Sequence, residues 1–363
     1  MGEITREQVE EIVRSKFLVA DSQMNMFSQE FRILDLNCTD KFADLARTLE
    51  GGRYVCRLLE RDGDRYIQIQ KFTPPKPGRI LGSSMTPRIL FVVVCAFVMI
   101  DGYYRTVQTN QITSLGDPIQ MAVIYTIALL GILGVHEMGH LMAAKIHRLK
   151  TTWPFFIPGI PIIGIPTLGA FIQSSGLTIN RKILFDVAVA GPLAGAVVAV
   201  IVVLIGAWTA PVIDEGAASM LESQGVLSEF QFGESILMHG SLELFGKSSS
   251  GVVILTPILW ASWIGFLITF LNLLPAWQLD GGHMARTILG SSAHRYATYA
   301  SIGVLVLLNY WVMAILILAL SWRNPAATPL DDVSPLPQNR KVIYLGVVVL
   351  AVVCAPIPAG ILP

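Results

Sequence analysis

The chain has 363 residues, 53% of them hydrophobic and only 14% charged. A soluble domain carries about 25% charged residues, so the composition excludes an ordinary soluble protein and indicates a polytopic one in a lipid bilayer. The 26 Lys/Arg balance the 26 Asp/Glu, which leaves no basic excess for nucleic acid, and the four cysteines show no C-x-x-C spacing for a metal site or disulfide framework.

Charge gathers at the start. Residues 1–77 hold 12 Lys/Arg and 13 Asp/Glu, and are read as a small water-soluble α+β domain. Thr5-Arg6-Glu7-Gln8 is a capping box, followed by Val9, Ile12, Val13 and Phe17 at helical spacing. Phe31–Leu36 reads as a strand and Phe42–Leu49 as a helix ended by Gly51-Gly52. Tyr54–Leu59 and Tyr66–Phe72 flank Arg61-Asp62-Gly63-Asp64, a hairpin signal. The acidic, amphipathic N-terminus resembles neither a secretory signal nor an Arg-rich transit peptide, so a prokaryotic cell membrane is expected. Pro-rich Thr73–Gly82 opens the linker assigned to residues 78–87, and residues 88–363 form the membrane domain.

A span needs about 20 apolar residues. Ile89–Tyr104, Ile119–Ile146, Ile183–Ala210 and Val252–Ala276 qualify with their flanks. Tyr296–Leu320 is one long helix or two short ones, and Val342–Ile361 is the last. The expected fold is thus an α-helical membrane protein with about six or seven transmembrane helices. Lys145, Arg148, Lys150, Arg181, Lys182, Arg286 and Arg295 mark one side, while the loop 211–251 has six acidic residues and one lysine. By the positive-inside rule the first set and residues 1–77 face the cytosol.

The second run holds His136, Glu137 and His140 as H-E-x-x-H. On a helix, positions i and i+4 share a face, so the two imidazoles can meet one ion. Glu137, one residue on, can reach a water there without being a ligand. His136 lies 12 residues before Arg148, roughly 18 Å along a helix and hence inside the hydrocarbon. Ionisable groups at that depth are costly and mark function.

Trp153–Ser175 is apolar but broken by four prolines and three glycines. It is read as a re-entrant β-containing loop, since irregular backbone at that depth must be covered by protein or line a cavity. Ala170–Gln173 is its short extended edge. A catalytic zinc has three protein ligands and one open position. The candidates for the third ligand are Asp186, His239, His283, Asp280 and the acids of the soluble domain. Asp280 closes the fourth span after Pro275 and before Gly281-Gly282, where it is either a ligand or a helix cap.

H-E-x-x-H on one membrane helix with Asn272-x-x-Pro275-x-x-x-Leu279-Asp280-Gly281-Gly282 on a later one resembles the site-2 protease family of intramembrane zinc metalloproteases. Gly169-Ala170-Phe171-Ile172, Ala190-Gly191-Pro192-Leu193-Ala194-Gly195 and Leu330-Asp331-Asp332-Val333-Ser334-Pro335 resemble further family segments, the last found in plastid and related prokaryotic members. The likeness covers about residues 85–360. It implies one zinc ion per chain held by His136, His140 and Asp280, with Glu137 as base. It implies substrate contacts at Asn272 and along Gly169, Ala170, Phe171 and Ile172, and transmembrane proteins as substrates. The outer loop of about 40 residues leaves no room for a PDZ domain and no CBS-type module follows, so regulation by those modules is not expected. The resemblance favours two helices over 296–320.

His147 and His294 are read as solvated, and His283 as a surface residue or one beside the metal. Trp260, Trp263, Tyr310 and Trp311 read as core or interface. A rival function, a transporter or proton relay built on buried His, Glu and Asp, lacks the internal repeat common in that class. A proteolytically silent, client-binding relative is opposed by the intact Glu137.

Overall fold

The computed structural model describes residues 5–357 apart from 26–27, 73–82, 84, 162–163, 173–177, 228–232 and 324–327. Most of the linker stretch therefore lies outside the described residues, as do Gln173 at the end of the expected edge and the last residues of the final span.

The N-terminal unit opens with α1 (Arg6–Lys16), whose Thr5–Gln8 capping box forms as the sequence predicts. Strands β1 (Val19–Met24), β2 (Ser28–Ile33), β3 (Tyr54–Arg61) and β4 (Asp64–Lys71) make an antiparallel sheet in the order β1-β2-β4-β3. Helix α2 (Thr39–Gly51) packs beside it. Phe31, Phe42, Leu45, Leu49, Leu58, Ile67 and Ile69 are almost wholly buried, each worth about 1.5–3 kcal/mol of burial. That core is completed by residues far along the chain: Ile179, Ile183 and Leu330 belong to it. Leu58 N donates to the Leu330 carbonyl at 2.9 Å, while Leu330 N and Asp331 N donate to the carbonyls of Thr178 and Ile179. A two-residue strip thus joins the sheet edge to the segment before the third long apolar helix.

Among the described residues, three helices are long and apolar enough to cross a membrane: α3 (Thr86–Thr109), α4 (Pro118–Ile146) and α5 (Arg181–Thr209). Asp117 caps α4, accepting from Ile119 N and Gln120 N, with Pro118 in the first turn. Asn180 caps α5 by accepting from Ile183 N. Between α4 and α5 the Pro/Gly-broken stretch forms a β-hairpin, β5 (Phe155–Ile160) and β6 (Ile165–Phe171), laid against α3 and α4.

Beyond α5 come β7 (Val212–Ile213), α6 (Glu215–Ser223), α7 (Ile236–Leu244) and β8 (Val252–Val253), with β7 paired to β8. The expected fourth span is shorter as a helix: α8 covers Pro257–Leu273. Val252–Val253 is drawn off into the β7 pairing, and Thr256 with Pro257 supplies a capped start. The helical stretch α9 (Asp280–Leu307) is interrupted at Gly290, where φ is +80°. A turn carrying Asn309 at φ +64° leads to α10 (Trp311–Arg323). Residues 296–320 are therefore two helical arms, the alternative that the resemblance favours. Helix α11 (Gln338–Cys354) follows.

Candidate metal centre

His136 and His140 stand one turn apart on α4, and Asp280 is the first residue of α9. Asp280 Oδ2 lies 3.3 Å from Nε2 of each histidine, and the two Nε2 atoms are 3.1 Å apart. One ligand atom from each residue falls within a 4.8 Å cluster, so the three are positioned to hold a metal ion. His140 Nδ1 is 2.8 Å from the Val187 carbonyl of α5. That bond fixes the tautomer and leaves Nε2 free to coordinate. Pro192 cannot donate to the Ala188 carbonyl, so the ladder of α5 is already opened next to Val187. Two imidazoles and a carboxylate suit zinc, and Glu137 adds a buried carboxyl whose Oε2 has no protein partner among the described residues.

Close approach of α4 and α5 makes this possible. A Cβ on Gly191 would meet His140 Nε2 at 2.2 Å, and one on Gly195 would meet the His136 Cβ at 2.9 Å. Asp280 is aimed by a tight reversal after α8. A Cβ on Gly281 would sit 2.1 Å from the Leu273 carbonyl oxygen, so only glycine lets the chain fold back under the end of α8. Asn272 Nδ2, on α8, is 3.5 Å from His136 Nε2.

Gly169, Ala170 and Phe171 lie on β6, with Ile172 just past it. The hairpin runs beside α4, but no polar contact links these four to the histidines among the described residues. The other third-ligand candidates go elsewhere. Asp186 accepts two bonds from Arg340, at 3.0 and 3.1 Å, and lies 3.2 Å from His147 Nε2. His239 faces Glu234.

Three readings of lone histidines need correction. His147 is half-buried against Asp186 rather than solvated, and His294 is 4% exposed with its Nε2 buried. His283, one turn past Asp280, has a buried Nδ1 and is not a surface residue. Trp260 and Trp263 are buried and stacked, whereas Trp311 is exposed. In the N-terminal sheet, burial pushes the Cys56 thiol up to about 12, so it is protonated and a poor ligand at neutral pH.

Sequence reasoning passed over Asp101 and Arg105, an ion pair within α3 at 2.8 Å. The signal was available: an acid and a base four residues apart at the end of an apolar run.

A family model described as Peptidase family M50 matches residues 124–317, more than half of the chain. The chain is 34% identical over 241 residues to "Probable zinc metalloprotease EGY2, chloroplastic" of Arabidopsis thaliana, covering 62% of this chain and 40% of that protein. It is 28% identical to "Probable zinc metalloprotease EGY1, chloroplastic" of the same plant, covering 63% and 41%. Identity to the Oryza sativa subsp. indica EGY2 protein is 32%, covering 62% and 41%. The chain thus spans about two fifths of the length of these curated relatives. No solved structure matches.

Proposed function

The chain belongs to peptidase family M50, the site-2 protease family, and from that premise we propose that it is an integral membrane zinc metalloprotease cleaving peptide bonds within or near transmembrane segments of other proteins. The observation that carries the reading is the convergence of His136, His140 and Asp280 beside Glu137, whose buried Oε2 has no protein partner among the described residues. His136, His140 and Asp280 would hold one zinc ion, which when bound acts as a Lewis acid and lowers the pKa of water toward about 7. Glu137 accepts the proton of the attacking water and returns it to the leaving amine. Asn272 is close enough to the histidines to orient a substrate carbonyl. A helical substrate shields its own peptide bonds, so it must unwind, and its extended strand would pair with Gly169–Ile172 at the open edge of β6.

In this reading residues 1–77 form a domain on the Lys/Arg-rich side of the membrane and 78–87 a linker. Residues 88–363 form the protease domain with six or seven spans. The proposed location is a prokaryotic cell membrane, whereas the matched relatives are named chloroplastic. The role is regulated intramembrane proteolysis of membrane-anchored proteins.

The test is zinc content and cleavage of a model transmembrane substrate by purified protein. Glu137→Gln should keep its zinc and lose at least about 100-fold in cleavage, the scale of a lost general base. Asp280→Ala should lose the zinc itself. Undiminished cleavage by Glu137→Gln removes Glu137 as base, and full zinc in Asp280→Ala removes Asp280 as ligand.

A further inference from the structure

The turn of the β5–β6 hairpin is tied down by a buried charged cluster that the proposed chemistry does not use. Asp101 Oδ2 accepts from Arg105 Nε at 2.8 Å and from the Tyr125 hydroxyl of α4 at 2.7 Å. Arg105 Nη2 reaches on to donate to the Gly164 carbonyl at 3.1 Å. Trp260 Nε1, on α8, donates to the same carbonyl at 3.3 Å, and the guanidinium lies 3.9 Å from the centroid of the Trp260 ring. One turn carbonyl therefore takes donors from two helices, and the Tyr125 hydroxyl of a third steadies the carboxylate. The Asp101 side chain is 5% exposed and Tyr125 wholly buried. Gly164 has φ +80°, and a Cβ there would sit 2.8 Å from Arg105 Nη2, so the turn is shaped to the guanidinium.

Asp101 and Arg105 lie in a membrane-length helix, where an ion pair is costly and is retained for what it positions. What it positions is the start of β6. Gly164 immediately precedes Ile165, and β6 runs from there to Phe171, with one register shift beside Gly169 before Ala170. A strand advances about 3.3 Å per residue, so a displacement at the turn is carried to the far end. A slip of two residues would move the edge by about 7 Å without changing which face its side chains occupy.

We propose that Asp101, Arg105, Tyr125 and Trp260 form a latch that fixes the register of the β6 edge, and so selects which peptide bond of a paired substrate strand is presented to His136, His140 and Asp280. The register claim rests on the strand-pairing reading above; the latch itself does not. These four are positioning residues.

The test uses the full-length, zinc-loaded protein and Arg105→Gln, with Tyr125→Phe as a milder variant that removes one hydroxyl. Hydrogen–deuterium exchange is followed in peptides covering 155–171. Products of a model transmembrane substrate are mapped by mass spectrometry. Arg105→Gln should raise exchange in the hairpin at least tenfold while α4, α5 and zinc content stay as in the wild type. Its cleavage should spread from one bond to neighbours, with KM raised more than kcat is lowered. Tyr125→Phe should show the same changes in smaller measure. Unchanged hairpin exchange in Arg105→Gln overturns the latch, whatever happens to cleavage. Loosened exchange with a single, unshifted cleavage site overturns the register claim. A wild-type protein that cleaves nothing strikes the protease reading, and with it the register claim, while exchange still decides whether the latch holds the hairpin.

Discussion

A methyl group on Gly191 would lie 2.2 Å from His140 Nε2, on the atom that faces the metal. Gly191→Ala should therefore push α4 from α5 or turn the imidazole, costing about 1–3 kcal/mol of overpacking. Zinc affinity should fall about 10–100-fold, as when a group supporting a ligand is lost. Gly134→Ala, on the helix α4 that carries His140 and with nothing within 4 Å of the added carbon, should leave zinc binding unchanged. Equal zinc in both variants, measured by metal analysis against a competing chelator, would show that the contact at Gly191 is slack. At this scale His136 and His140 were legible because i, i+4 spacing is a local signal, whereas the local sequence left Asp280 a ligand or a cap and the family resemblance singled it out. The carbonyl that orients His140 was not, because a bond from α4 to Val187 of α5 depends on how two helices meet. Asp186 stayed among the candidates for the same reason: its partners, Arg340 and His147, are distant in sequence.

Among the elements, the β5–β6 hairpin differs most from its sequence reading. Pro158 and Gly159 interrupt the alternation of Phe155–Ile160, so only a short edge near Ala170 was expected. The pairing shifts register between Phe156 and Pro158, with the extra residue on β6 beside Gly169, the kind of place where a strand tolerates proline. Strand β1 was missed because Val19–Met24 has no apolar face; five of its six residues are exposed and it pairs only with β2. The hairpin edge gives a direct prediction. Of Phe171→Pro and Ile172→Pro, the one whose N–H points outward should lower cleavage of a transmembrane substrate by removing a donor worth about 0.5–1.5 kcal/mol, roughly two- to tenfold. Alanine at the same positions should have little effect, and zinc content should be the same throughout. Proline and alanine variants that cleave equally well would leave the hairpin a cover and not a docking strand.

Across the whole molecule, the segment around Asp332 holds the parts together. Its carboxylate takes Arg181 Nε at 2.8 Å and Arg286 Nη2 at 2.6 Å, joining α5 to the helix that begins with Asp280. The Arg286 side chain is only 4% exposed, so Asp332→Ala would strand a buried guanidinium at a cost of about 3 kcal/mol. The expected result is a lower unfolding temperature in detergent, with the loss reduced by Asp332→Glu; an unchanged melting curve would mean that Arg286 finds other partners. The neighbouring strip has a temporal consequence. Leu330 closes the core of the N-terminal unit and covers the outer edge of β3, yet a ribosome reaches it long after that sheet has emerged. At about 5–20 residues per second the edge stays bare for roughly 10–50 s, an open template for a stray strand. The sheet is made before the strip that finishes it, and its completion registers that everything between has been delivered.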